Sequence, residues 1–290
     1  MRRRVWPVGV LFVAACGART GLLAPEEPAD AADASDAAPD AESLDVAQKP
    51  DVSTVGCPDA ATEFVYVVSE DDVLSTFDPP SATFATIGVL ACDAGGANPF
   101  SMAVARDGTA YVEYDDGELF AVSTQTAACK PTSFVTGQVV PFGMGYATIG
   151  AGPAEQLFIA PNDALATLDV DAGFAIHPIG TFAPSLMLAE LTGTGDGRLY
   201  AYYATGDFGG STIGEIDKSN AHVVAADTLA NVDRGDAWAF AFWGGDFWIF
   251  TAPNDEQTTV KYDPVAKTST VVAHYASPIV GAGVSTCAPQ

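Results

Sequence analysis

Basic residues are scarce in this chain. Against 37 Asp+Glu stand only 12 Lys+Arg in 290 residues, a formal net charge of -25. Nothing in such a composition can neutralise a phosphate backbone, so nucleic acid is excluded as a partner. No H-E-x-x-H, G-x-S-x-G or glycine-rich phosphate loop occurs, so the local patterns of zinc proteases, serine hydrolases and nucleotide binders are missing. Helical periodicity is missing as well. No apolar pattern of period 3.6 continues for ten residues without Gly or Pro, and the nearest case, residues 181–191, is interrupted by Pro184. What the chain does have is a 48% hydrophobic content with 28 Gly and 19 Pro, enough for a substantial core divided by many turns.

The first residues read as an address. Arg2, Arg3 and Arg4 precede a mostly apolar run, residues 5–15, that is too short to span a bilayer as a helix. The run ends in Val13-Ala-Ala-Cys16, which resembles the lipobox of bacterial lipoproteins. The resemblance implies a signal peptide over 1–15 and a Cys16 that carries acyl chains, each buried CH₂ of which contributes about 0.8 kcal/mol of membrane binding. Gly17, where an Asp would favour retention at the inner membrane, implies the outer membrane, facing either the periplasm or the cell surface. Loss of the three arginines leaves 9 basic against 37 acidic residues. Anionic headgroups repel such a surface, so the lipid bilayer is engaged through the acyl chains.

Residues 16–56 are Ala, Asp, Glu, Pro and Ser with Lys49 almost alone in its charge. Like charges at this density keep a segment extended, and the expectation is a disordered acidic tether. Residues 57–290 form the folded domain, in which short aromatic and β-branched runs alternate with Gly, Asp, Asn and Pro clusters. Their central aromatics, Tyr66, Tyr111, Phe158, Tyr200 and Trp248, are 45, 47, 42 and 48 residues apart. A second marker, the turns at Asp78, Ser123, Asp169, Asp217 and Asp263, steps by 45, 46, 48 and 46. A repeat near 46 made of four short strands indicates a propeller blade. The expected fold is all-β, a five-bladed β-propeller with four antiparallel strands per blade. A pair of Greek-key sandwiches and a six-bladed ring with one degenerate unit are the alternatives.

One unit can be read strand by strand. Residues 99–104 are the innermost strand, 109–114 the second, 118–123 the third and 132–136 the outer one. The first unit lacks an innermost strand, whereas the chain ends with an unpartnered apolar stretch at 279–287. The C-terminal strand therefore closes the ring by completing the first blade and hiding both edges. With Cys16 assigned to lipid, four cysteines remain. Ring closure pairs Cys57 with Cys287, and adjacent blade rims pair Cys92 with Cys129; four-thiolate zinc is the weaker alternative, since no C-x₂-C occurs.

Chemistry is sparse. His177, His222 and His274 fall in the outer parts of three different units, and no catalytic residues are assigned. The carboxylate clusters match no D-x-D-x-D-G loop, so no cofactor is expected and structural calcium is only a weak possibility. The seven aromatics between Trp238 and Phe250 read mainly as inter-blade core. The loops at 93–98 and 232–236 each run from an outer strand to the next innermost strand, and both should border one mouth of the ring. Asn98, Asp233, Arg234 and Trp238 are therefore the expected ligand contacts. A non-enzymatic module binding a protein, peptide or glycan is the leading functional expectation. The alternatives are a structural envelope component without a discrete ligand and, less favoured, a lyase or glycan-active enzyme.

Longer blocks carry a family resemblance. Cys16-Gly-Ala-Arg-Thr-Gly-Leu22, Glu190-Leu-Thr-Gly-Thr-Gly-Asp-Gly-Arg-Leu-Tyr200, residues 238–252 and residues 279–289 are similar to an uncharacterised outer-membrane lipoprotein family of myxobacteria. The resemblance spans the lipobox and nearly all of 57–290. It implies an exported, lipid-anchored, propeller-like protein and supplies no catalytic residues. A Cys16→Ser chain should accordingly lose its lipid and either become soluble or stall unprocessed. Intact mass and membrane fractionation test this, and unchanged values for both would refute lipidation.

Overall fold

The computed structural model describes residues 43, 44, 57, 64–135, 137, 141–186, 188–205 and 210–290. The chain divides into two units, Met1–Asp40 and Ala41–Gln290. The signal peptide at 1–15, the lipidation site Cys16 and the rest of the first unit lie outside the described residues.

Twenty strands among the described residues form five four-stranded antiparallel sheets, arranged as a five-bladed β-propeller. Blade 1 contains β1 (Val65–Ser69), β2 (Val73–Asp78) and β3 (Thr83–Val89). Blade 2 contains β4 (Pro99–Val104), β5 (Thr109–Tyr114), β6 (Leu119–Ser123) and β7 (Cys129–Pro131). Blade 3 runs β8 (Phe142–Thr148), β9 (Glu155–Pro161), β10 (Ala164–Asp169) and β11 (Ala175–Thr181). Blade 4 runs β12 (Glu190–Gly193), β13 (Leu199–Thr205), β14 (Gly210–Ile216) and β15 (Val223–Asp233). Blade 5 runs β16 (Trp238–Trp243), β17 (Asp246–Thr251), β18 (Thr258–Asp263) and β19 (Thr268–His274). The last strand, β20 (Ile279–Gly283), pairs antiparallel with β1 and supplies the inner strand of blade 1. The ring is closed by strand exchange between the chain ends, as the sequence predicts.

Burial falls from axis to rim for a simple reason. Inner strands lie between two neighbouring blades, so β8 and β12 are buried at every position. Outer strands have a free edge, and β3 and β19 show the same alternation of exposed and half-buried residues along their length.

The two periodic sequence markers have one structural cause. Each marker aromatic sits on the second strand of its blade and pairs directly with the residue two positions before the marker turn. The pairs are Tyr66 with Thr76, Tyr111 with Ala121, Phe158 with Thr167, Tyr200 with Glu215 and Trp248 with Lys261. The turn residue then caps its own bend. Asp169 Oδ1 accepts from the backbone of Asp171 and Ala172, and Asp263 Oδ1 from that of Val265 and Ala266. A left-handed residue ends each such turn, at Ala82, Ala127, Phe174, Ala221 and Lys267. Strand register thus transmits the turn spacing to the aromatic core.

At the axis the inner strands touch in cyclic order: β20, β4, β8, β12, β16 and back to β20. Backbones approach so closely that side chains are excluded at some positions. A Cβ on Gly143 would lie 2.1 Å from the Ala189 carbonyl oxygen, and one on Gly193 2.2 Å from that of Tyr146. The disulfides Cys57–Cys287 and Cys92–Cys129 both form, the first across a sequence separation of 230.

Two local readings need correction. The outer strand of blade 2 is Cys129–Pro131, not 132–136. Cys129 starts that strand instead of preceding it, tied there by its bond to Cys92. The Thr132 hydroxyl then donates to the Leu119 carbonyl at 2.7 Å, and the strand ends. Two residues of the segment read as a tether, Ser43 and Leu44, are packed on the propeller. Leu44 is buried against Ala225, Leu229 and Val232, while Lys267 donates to its carbonyl and Ser43 donates to Asp227.

Closure at the axis should make Gly143→Ala costly, by about 2 kcal/mol or more, since backbone and not a flexible side chain must move. Val265→Ala, at a position 76% exposed, should change stability by less than about 0.5 kcal/mol. Denaturant unfolding without reductant compares them; equal midpoints would show that the ring can open at no cost.

Candidate functional site

The two ends of the axis differ. At the end where β4 and β8 finish, residues 284–290 fold under the ring, and Val284, Ser285, Thr286, Cys287 and Ala288 are all buried. The Thr286 hydroxyl accepts from Arg106 Nη1 at 2.9 Å and donates to Glu155 Oε2 at 2.7 Å. The Arg106 backbone N–H reaches Glu155 Oε1 at 2.6 Å. Blades 2 and 3 are thereby bolted to the C-terminus. Midway along the axis, between Ala103, Gly145, Gly193 and Gly283, there is no room for water. Among the described residues, cavities open at the opposite end.

That open mouth is made by the first residues of the inner strands. It holds a cavity of ≈ 190 Å³ whose walls include Phe100, Pro141, Leu188, Glu190 and Trp238, with Asn162, Asp163 and Ser185 at its polar side. A smaller cavity of ≈ 90 Å³ adjoins it and shares Phe100, Glu190 and Trp238, adding Asp236 and Val280. Together they fall short of the roughly 300–1,000 Å³ typical of drug-sized ligands, so they suit one side chain or one small ring.

Below the mouth two carboxyls are buried in the strands. Glu190, 6% exposed, accepts from the Ser101 hydroxyl at 2.9 Å and from the Met144 backbone. Burial outweighs these bonds and holds its carboxyl well above the usual range. Glu113, wholly buried opposite Ser101 in the β4–β5 pairing, accepts the Phe142 N–H at 2.8 Å through Oε2. Its Oε1 has no hydrogen-bond partner. Burial pushes the Glu113 carboxyl up to about 9, the Phe142 N–H opposes this, and the charges of Glu190 and Asp116 add to it. Glu113 is therefore neutral at ordinary pH, the form a poorly solvated carboxyl adopts, and burial biases Glu190 in the same direction.

The four expected contacts separate. Trp238 lines both cavities. Arg234 lines neither, but its guanidinium lies over the Trp238 ring, 3.9 Å from the centroid. Asp233 is exposed at the end of β15, where Oδ1 accepts the Gly235 N–H at 3.0 Å. Asn98 is also exposed, with its backbone N–H on Asp115 Oδ1 at 3.2 Å. Of the two loops, 232–236 contributes Asp236 to the smaller cavity, while 93–98 contributes no lining residue. Sequence reasoning missed Glu190 and Glu113; each is a lone acid in an otherwise uncharged strand, but so are the half-buried Glu155 and Glu215, so the pattern by itself does not identify them. Among the described residues, no three His, Cys, Asp or Glu side chains are grouped to hold a metal ion.

No family model and no curated protein sequence matches the chain. Solved structures do share its architecture. A chain from a crystal structure of a nidogen/laminin complex aligns at a TM-score of 0.50 and 10% identity, over 76% of this chain and 97% of that one. TolB from Acinetobacter baumannii aligns at 0.46 and 8% identity, over 79% of this chain and 68% of its own. A Bacteroides thetaiotaomicron protein of unknown function aligns at 0.44 and 10% identity, over 76% and 61% of the respective chains. At 10% identity the nidogen/laminin likeness establishes the propeller fold and nothing narrower.

Glu113 gives stability a pH dependence. In the folded state it keeps its proton up to about 9, while in the unfolded chain it loses it near 4.5. Below the lower value there is no ionisation penalty for burying it, and stability is lost as pH rises across that window. Glu113→Gln, which keeps an acceptor for Phe142, should remove that slope and stabilise the protein near neutral pH by on the order of 3 kcal/mol. Unfolding curves across the window test this; parallel curves for both proteins would contradict it.

Proposed function

We propose that this protein is a lipid-anchored envelope propeller, a non-enzymatic module that captures a protein, peptide or glycan at the open mouth of its ring. One observation carries the binding reading: the only open end of the axis among the described residues holds two adjoining cavities that share Phe100, Trp238 and Glu190. An aromatic-walled recess with a few polar groups is the usual form of a recognition site, and Trp is the residue type most often dominant in binding energy. The opposite end is filled by the C-terminal residues. Arg2 to Arg4, the V-A-A-C run and Cys16 support export and lipidation. Two disulfides among the four remaining cysteines fit an oxidising compartment.

The test is capture from native membranes by the mature chain without its lipid, alongside a glycan array. Once a ligand is found, Trp238→Ala should weaken binding at least about tenfold with the melting temperature retained. Asn98→Ala, Asp233→Ala and Arg234→Ala are scored in parallel. Unchanged affinity in Trp238→Ala, or a footprint on the outer rim near His177 and His222, would remove the mouth from consideration.

A further inference from the structure

Resting on the reading of the mouth as a binding site, the geometry points to its chemical class: we propose that the paired cavities are a socket for one Lys or Arg side chain on a basic segment of a partner protein. The lining has charge of one sign only. Glu190 borders both cavities, Asp163 the larger and Asp236 the smaller, and no Lys, Arg or His is among the described residues that line them. Anionic ligands are therefore disfavoured. The walls are aromatic and aliphatic, from Phe100, Trp238 and Leu188, and a long side chain with an apolar stem and a charged tip matches both features.

Size agrees with this. Volumes of ≈ 190 Å³ and ≈ 90 Å³ suit a single extended side chain and its neighbour better than an oligosaccharide or a helix. Trp238 contributes apolar wall area to both cavities, while the Arg234 guanidinium covers its ring 3.9 Å from the centroid. Over longer range the net charge of -25 draws basic segments towards any face of the molecule.

Glu190 makes the socket responsive. The groups around it are the Ser101 hydroxyl, the Met144 N–H, the acids Glu113, Asp163 and Asp236, and Tyr202, which is opposite it in the β12–β13 pairing. No cation lines the cavities, Arg234 lying on Trp238 outside their lining, so an empty socket keeps the Glu190 proton, which avoids an unpaired buried charge. An arriving ammonium or guanidinium supplies the missing positive charge. The carboxyl O–H bond then breaks, the electron pair stays on the carboxylate, and the proton passes to bulk solvent. Binding of one cation thus releases up to one proton.

The probe is an acetylated, amidated five-residue peptide of Gly and Ser with one central Arg, compared with versions carrying Lys, citrulline or Leu and with a neutral disaccharide. Calorimetry near neutral pH, in buffers of differing ionisation enthalpy, reads affinity and proton release together. The Arg or Lys peptide should bind at least tenfold tighter than the citrulline peptide, weaken as salt is raised, and release a proton. Glu190→Gln should abolish the release and weaken binding, and Asp236→Asn, on an exposed residue, should weaken binding even if the first variant folds poorly. Equal binding of the citrulline or Leu peptide, preference for the disaccharide, or binding without proton release would overturn the socket. If these neutral ligands bind and Trp238→Ala abolishes their binding, the mouth survives and only its charge preference fails. If Trp238→Ala leaves every affinity unchanged, the mouth itself is wrong.

Discussion

Everything in this propeller depends on the close approach of five inner strands around one axis. Their backbones meet at distances that leave no space for a side chain at Gly143 or Gly193. Each inner strand is therefore buried on both faces, and each blade packs its second strand against neighbours on either side. This is why the core is continuous around the ring and why it is rich in aromatics. In blades 4 and 5, Tyr200 stacks with Phe242 and meets Phe247 edge-on, while Phe77 of blade 1 meets Phe250 of blade 5 edge-on. Such pairs add about 0.5–1.5 kcal/mol each beyond their buried area.

The same constraint determines where function can sit. A closed axis cannot conduct or enclose a ligand along its length. One end is sealed by residues 284–290 through Thr286, Arg106 and Glu155. That seal also ties the last residues to blades 2 and 3, so β20 is held at both its ends: by pairing to β1 and by the bolt beneath the ring. Two buried carboxyls lie in the strands behind the mouth, Glu190 in the cavity walls and Glu113 deeper, and ionisation of either would destabilise the fold.

Much of the fold was legible in the chain. Strands 99–104 and 109–114 coincide with β4 and β5, and both repeat markers fell on equivalent positions in all five blades. The turn acids were readable because an Asp that accepts two backbone N–H groups is required locally, whatever surrounds it. The pairings of Cys57 with Cys287 and Cys92 with Cys129 followed from topology alone. The outer strand of blade 2 was misplaced because its ladder is set by a disulfide from the neighbouring blade, a contact with no local trace. Of the candidate site, Trp238 was legible as the aromatic that opens an inner strand. Glu190 was visible as a residue but not as a wall.

The sequence by itself determined the periodicity and the unpartnered C-terminal strand, from which five blades, ring closure and the disulfide pairing were the favoured expectations. These depend on interactions between residues near in sequence, repeated five times, and on a count of unpaired strands. Only the tertiary structure decided that the axis is blocked, which end is open, and which side chains from β4, β8, β12 and β16 meet there. Such choices arise from backbone separations of a few ångströms between blades some 46 residues apart. A glycine at a strand centre reads the same whether it faces solvent or the carbonyl of another blade, and only the packing of the ring tells the two apart.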